Sequence, residues 1–504
     1  MNVTRRTLFA QALALSASNP LSLLAAPKID FPFTLGVASG EPAHDGIVLW
    51  TRLAPKPDDA AALPNANIEV RWEIAEDESF SKVVRKGKTA ATPMLAHSVH
   101  VEADGLKPAR WYHYRFTAAG HRSPAGRFKT AAAAGDETTP LKFAFASCQQ
   151  WTQGLWTAYQ HMAEEELDLV VHLGDYIYEQ GYRGDVRTTG REEIFSLSDY
   201  RNRHSLYKTD PLLQKAHARF AWATTWDDHE VSNNYAGDIQ EKGQPRAEFL
   251  ERRASAYQAY YEHMPLRRAQ MNQGSRMTLH RRLDFGQMVR LHMLDTRQYR
   301  TDQVCGDGSK PACPELKNPE QTLLGPEQEK WLEGNLQGSR AKWDVLGQQI
   351  LVTLQDFDPN EGITYNMDSW SGYPIARERL VAALQNSKRN AVIITGDVHA
   401  SWVGQLHTEA QDVKSACVAA EFVGTSISSG GDGFDMTPRG EDVLRVNPQI
   451  RYFNARRGYV RCEAAPTSFR ADYRLVDYVT RPGAPVATKV SWTVEPGRLI
   501  PERS

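Results

Sequence analysis

Four short apolar runs in this chain stop at residues able to carry charge or bind a cation. "FAFASC" finishes in Ser147-Cys148, "VVHLGD" in Gly174-Asp175, and "VIITGD" in Gly396-Asp397 followed by Val398-His399. "ATTW" runs straight into Asp227-Asp228-His229-Glu230. A carboxylate at the end of a buried strand is costly unless something nearby compensates its charge. Each run alone has a plain reading: Gly-Asp is a turn, an isolated buried Cys148 is a small hydrophobe, and acidic residues favour a helix start. Four such runs in one chain restrict the fold much further. They read as buried strands that deliver Cys, Asp and Asp/His at their carboxyl ends, where open α/β sheets gather their ligands.

The surrounding pattern agrees. From residue 141 onward, apolar runs "LKFAFAS", "LDLVVHLG", "RFAWATTW", "MVRLHMLD", "WDVLGQQILVTL", "NAVIITGD" and "CVAAEFVG" occur at wide spacing. Amphipathic stretches separate several of them. "GPEQEKWLEGNLQ" is one, with Pro326 suited to a first helical turn. This predicts an α/β catalytic core over 141–504 with mixed β-sheets flanked by helices. Residues 30–130 differ: "IEVRWEIAED", "HSVHVEADG" and "RWYHYRFTAAG" alternate with turn residues between them, predicting a small all-β sandwich. "AAAAGDETTP" reads as the linker.

Residues 1–26, "MNVTRRTLFAQALALSASNPLSLLAA", have the layout of an export leader, and Thr4-Arg5-Arg6 before Leu8-Phe9 points to the twin-arginine machinery. The stretch is too weakly apolar, and too interrupted by Pro20, to span a membrane, and no other segment reads as transmembrane. The expected location is the periplasm, the cell wall or the medium, and the expected state is a monomer. Cys305 and Cys313 bracket a Gly/Pro-rich loop that an oxidising compartment can staple, whereas Cys417 and Cys462 lie in apolar runs. With 59 basic against 61 acidic residues, nothing marks a nucleic-acid-binding surface.

The strand-end residues suit a two-metal site. Such a site needs one carboxylate that bridges two cations, plus separate ligands that distinguish them. Asp175 supplies the bridge, and Tyr178 follows within one tight turn. Phenolate and thiolate must each lose a proton to bind, so Cys148 and Tyr178 favour a strongly Lewis-acidic Fe(III). The oxygen-rich remainder suits calcium or magnesium.

The motifs "ASCQ", "HLGDYIYE", "TWDDHEVSNN", "LDTRQYRTDQ", "TGDVH" and "RRGYV" resemble the PhoD-type alkaline phosphatases and phosphodiesterases, which are calcineurin-like metallophosphoesterases. The likeness spans most of the chain. It implies Fe(3+) and Ca(2+), and hydrolysis of phosphate monoesters or diesters outside the cytoplasm by an activated water, without a phospho-enzyme. Carried over, Cys148, Asp175 and Tyr178 hold iron, while Asp228, Asn233, Asp397 and His399 lie on the calcium or phosphate side. Where wider relatives have Asn-His-Glu, this chain has Asp228-His229-Glu230, so either Asp228 replaces the Asn ligand or Asn233 takes it over, or both contribute. Asp227, His229 and Asn234 compete within the same stretch, and spacing does not rank them.

His229 is then the candidate proton donor to the leaving group, and Arg297 and His399 are candidates to stabilise phosphoryl charge. For Arg297 the competing reading is a salt bridge to Asp295 or Asp302. "ISSGGDG" at 427–433 lacks a P-loop ending and reads as a loop near the site mouth. Trp151, Trp156, Trp370 and Tyr373 are either groove aromatics or core. Rival functions are phospholipase-D-like diester cleavage, a thiol hydrolase built on Cys148, and a non-catalytic extracellular binding protein. Metal removal separates the thiol enzyme from the metal enzyme.

Overall fold

The computed structural model describes residues 29–504 apart from 185, 191 and 361, so the expected leader at 1–26 lies outside the described residues. All seven widely spaced apolar runs form strands, and they divide between two sheets. Leu141–Ala146, Leu169–Leu173 and Ala221–Thr225 are parallel neighbours in a ten-stranded sheet. Val289–Met293, Trp343–Gln348, Ala391–Thr395 and Cys417–Val423 are parallel neighbours in a seven-stranded sheet. Antiparallel strands extend both sheets, so each is mixed.

Side-chain alternation explains why these runs are apolar throughout. Leu169, Val171 and Leu173 share one hydrophobic cluster with Val345, Val392, Ile394 and Phe422 of the other sheet. The intervening Val170 and Trp222 pack beneath helices, against Tyr159, Tyr200 and Tyr257. On the second sheet, Leu346, Ile393 and Ala419 pack under Leu332 and Leu336 of helix Gly325–Gln337 and Leu380 and Leu384 of helix Pro374–Ser387. The core is thus four layers, helix–sheet–sheet–helix. Each fully buried aliphatic side chain contributes about 1.5–3 kcal/mol, so a charge placed at Val171 would break the stack between the sheets.

The N-terminal β region does form two packed sheets, but one of them is not its own. Val37–Gly40 lies parallel to Ala221–Thr225, and Ile47–Arg52 and Ser98–Ala103 continue the same ten-stranded sheet. A separate five-stranded sheet, built on Ile68–Ala75 and Trp111–Ala118, contributes Val70, Ile74, Tyr114 and Phe116 to the cluster that also holds Ile47, Leu49 and Val99. Short alternating strands state which face is apolar and say nothing about which sheet they join. Cys305 and Cys313 are disulfide-bonded, with Cα atoms 5.8 Å apart. Cys462 is buried and Cys417 half-buried. Among the described residues no helix is long and apolar enough to cross a membrane.

Candidate metal centre

The register of the two sheets sets the site. Leu173 pairs with Thr225, so Gly174-Asp175 and Trp226-Asp227-Asp228 leave adjacent strands side by side. Gly174 has φ +106°, and a Cβ there would stand 2.5 Å from both Cβ and N of Asp227. Only glycine permits that crossing. An isolated bridge between Ser147 and Ser426 closes the two sheets at this end, where Ala391–Thr395 delivers Asp397 and His399.

Four candidate ligands adopt the left-handed backbone region: Cys148 (φ 59°), Asp175 (55°), Asp397 (61°) and His399 (53°). Each costs roughly 1–2 kcal/mol, and such strain persists where the surrounding fold over-determines it, characteristically at functional sites. Glu230 is one of the constraints. Its carboxylate accepts the N–H groups of Asp175 (3.2 Å), Tyr176 (2.6 Å) and Asp227 (2.8 Å), fastening the two strand-end turns together.

At this end of the sheets, two groups of side chains bring ligand atoms within 4.8 Å of one another: Cys148, Asp175 and His399, and then Asp175, Asp228 and His229. Asp175 belongs to both. The Tyr178 hydroxyl donates to Asp175 Oδ2 at 2.8 Å and lies 3.3 Å from His399 Nε2. Asp175 Oδ1 is buried with no hydrogen-bond partner.

Electrostatics show what this donor set lacks. Burial, reinforced by Asp228, Asp227 and Glu230 against the opposing pull of His229, raises the Asp175 carboxyl well above its usual range. Burial and Asp227 do the same to Asp397. Burial with Asp175 raises both the Cys148 thiol and the Tyr178 phenol. His399 is pushed down to about 3 by burial and Arg457, leaving a neutral imidazole with a free lone pair. Acidic donors crowded beyond what neighbouring cations neutralise, around an orphaned buried oxygen, fit bound metal ions. They do not fit a thiol hydrolase, whose cysteine needs an electropositive setting.

His229 is held differently. Its Nδ1 is 2.7 Å from Glu179 Oε2, and its ring centroid is 4.2 Å from that of Tyr178. Burial opposes its charge, yet Asp228, Glu179 and Asp175 keep its pKa well above the ordinary value.

Two expected site residues are not brought to the cluster as anticipated. The Asn233 side-chain amide donates to Glu241 at 2.8 Å on the exposed side. Asn234 turns instead: at φ 49° its backbone N–H donates to Asp228 Oδ2 at 2.7 Å. Arg297 is fully buried, so it is not open to a phosphate. Its Nε donates to Asp227 Oδ1 (2.5 Å) and its Nη1 to Asp368 Oδ1 (2.9 Å), with Nη2 3.9 Å from Asp228 Oδ1. The salt-bridge reading holds with different partners, since only the Arg297 backbone N–H reaches the Asp295 carboxylate.

Several residues at the site carried no clear motif. Asp368 also receives Arg300, and nothing in "NMDSW" marks it. Ser429, expected in a loop at the mouth, is 1% exposed. Its Oγ lies 2.7 Å from Tyr178 Oη and donates to the Cys148 carbonyl at 2.8 Å. Arg457, in "RRGYV", donates through Nη1 to the His399 carbonyl (2.6 Å) and Ser426 Oγ (2.9 Å), and through Nε to the Gly431 carbonyl (2.8 Å). Trp156, Trp370 and Tyr373 are core, and half-buried Trp151 stacks on Arg187 at 3.8 Å.

Comparison with known proteins gives matches across most of the chain. The family model for the PhoD-like phosphatase matches residues 143–473, and that for the PhoD-like phosphatase N-terminal domain matches 16–132. The chain is 51% identical over 479 residues to alkaline phosphatase D of Bacillus subtilis (strain 168), covering 94% of this chain and 82% of that protein. A solved structure of PhoD superposes with a TM-score of 0.92 at 50% identity, covering 97% of this chain and 93% of the other.

Proposed function

The chain belongs to the PhoD-like phosphatase family, and from that premise we propose the ligands, proton donor and location of a metal-dependent phosphoric ester hydrolase. Cys148, Asp175 and Tyr178 would hold Fe(3+), with the neutral imidazole of His399 beside them, and Asp228 and Asp397 would serve Ca(2+). The observation that carries this reading is Asp175, common to both ligand groups and left with a buried, unpartnered Oδ1. When bound, such ions would supply positive charge for the phosphoryl oxygens and lower the pKa of a water, the chemistry that metal-assisted ester hydrolysis needs.

The chain's own groups do the rest. His229, fixed through Nδ1 by Glu179, carries its proton on Nε2 to the leaving oxygen. Arg297 holds Asp227 beside Asp368 beneath the cluster, which supports a positioning role rather than a grip on substrate. Ser429 and Arg457 steady Tyr178 and His399. No side chain need form a covalent phosphoryl intermediate.

The proposed location is outside the cytoplasm, reached by the twin-arginine route with the leader at 1–26, as a monomer whose segments 30–130 and 141–504 share one ten-stranded sheet. The Cys305–Cys313 bridge supports an oxidising compartment. Asp175→Ala tests the ligand set: the variant should lose both metals by elemental analysis, together with hydrolysis of a monoester and a diester. Full metal occupancy in the folded variant would make Asp175 a turn residue. The products of the two esters, with and without added calcium, decide between monoesterase and diesterase, phospholipase-D-like cleavage included.

A further inference from the structure

A cavity of about 540 Å3 lies away from the metal centre, at the seam between the N-terminal β region and helix Leu197–Lys208. That volume suits a small organic ligand. None of its lining residues is a candidate metal ligand. Apolar groups, including Leu53, Pro55, Leu63 and Pro64, form part of the wall, and Arg52, Arg201 and Lys56 supply positive charge.

Arg52 makes the cavity distinctive. It is the last residue of strand Ile47–Arg52 and is 6% exposed, yet among the described residues no carboxylate touches it. Its Nε donates to the Ala96 carbonyl (2.8 Å), and its Nη1 reaches Ser205 Oγ (2.5 Å) and His263 Nε2 (2.9 Å). His263 Nδ1 is committed to the Ala259 carbonyl at 2.6 Å, so Nε2 is the accepting nitrogen and the ring is neutral. Arg52 Nη2 has no protein partner among the described residues.

The acid whose field reaches Arg52 is Glu262, but Arg201 holds that carboxylate through Nε (2.7 Å) and Nη2 (2.6 Å). The acid on the cavity wall, Asp59, accepts the Ala61 N–H at 2.9 Å. Further basic groups stand behind the floor. His204 stacks on His263 at 4.9 Å, and Lys208 lies 4.4 Å from the Trp50 ring centroid. A buried guanidinium satisfied only by neutral acceptors is costly, and burial pulls its pKa down to about 10. An anion entering the cavity would meet the remaining Nη2 of a guanidinium that is already desolvated.

We infer that this cavity is a second, non-catalytic binding site for a small organic anion, a phosphate or carboxylate on a compact apolar body, with its charge against Arg52 and its body against the Leu53–Pro64 wall. The site stands independently of the catalytic reading. Phenylphosphonate is a suitable probe because its C–P bond offers no ester to hydrolyse. Calorimetry should find two sites on the wild-type holoenzyme. Lys56→Glu, at an exposed wall position, should weaken one of them tenfold or more and leave kcat/KM for an aryl phosphate within twofold. Asp175→Ala should keep the site that Lys56→Glu loses. Arg52→Met should abolish it, and if that variant does not fold, Lys56→Glu and Asp175→Ala still decide. A single wild-type site that Lys56→Glu leaves unchanged would overturn the assignment, as would loss of all binding in a folded Asp175→Ala protein.

Discussion

Lys208 allows a prediction whose size follows from its surroundings. Its side chain is 2% exposed, its Nζ donates to Tyr176 Oη at 3.1 Å, and the Trp50 and Tyr176 rings lie around it. The neighbouring titratable groups His172, His204, His217 and Arg52 offer no negative charge, and burial lowers the lysine from 10.5 to about 7. At about 1.4 kcal/mol per pKa unit, that difference costs the folded state about 5 kcal/mol when the amine must be charged.

The folded-state pKa lies below the unfolded one, so the unfolded chain binds the proton first as pH falls from 10.5. The penalty is full below about pH 7 and fades as pH rises toward 10.5. Lys208→Met keeps the aliphatic stem against Trp50 and gives up one hydrogen bond of about 1 kcal/mol. The variant should therefore be the more stable protein at pH 6 by about 4 kcal/mol, and nearly equal to wild type at pH 10. Urea unfolding at both pH values, with metal content matched, measures this difference. A constant offset between the two proteins across that range, or a wild type favoured at pH 6, would refute the reasoning.

Three further outcomes are expected. The metal-loaded protein should show a visible charge-transfer band that shifts or collapses in Tyr178→Phe, with Cys148→Ser altering it separately; a colourless wild type active with divalent ions alone would remove the iron assignment. Arg297→Met should cost about 3–5 kcal/mol by stranding Asp227 and Asp368, seen as lost unfolding stability and weaker metal retention. A rise in KM at unchanged stability would restore the phosphate-clamp role. Changing Arg5 and Arg6 together to Lys should hold the protein in the cytoplasm on fractionation, and normal export would count against the twin-arginine route.

Much of the architecture is local and therefore legible in one dimension. A short apolar run bounded by turn or polar residues defines a buried strand by itself, which is why all seven runs are strands. The Gly-Asp that ends two of them marks a functional end, and Asp175 and Tyr178 meet across one turn. Helix Gly325–Gln337 is equally local, since its period and Pro326 lie within its own span. Tertiary structure decided what depends on contacts between distant segments. Arg297 answers to Asp227 and Asp368, about 70 positions away on either side, rather than to the adjacent acids that spacing suggests. Ser429 reaches Tyr178 across 251 positions, and Arg457 reaches His399 across 58. The choice of Asn234 over Asn233 at Asp228 turns on one left-handed residue. The N-terminal strands alternate as a free sandwich would, yet three of the eight complete the catalytic sheet, because backbone ladder bonds accept any strand of matching face and the packed core alone selects the partner.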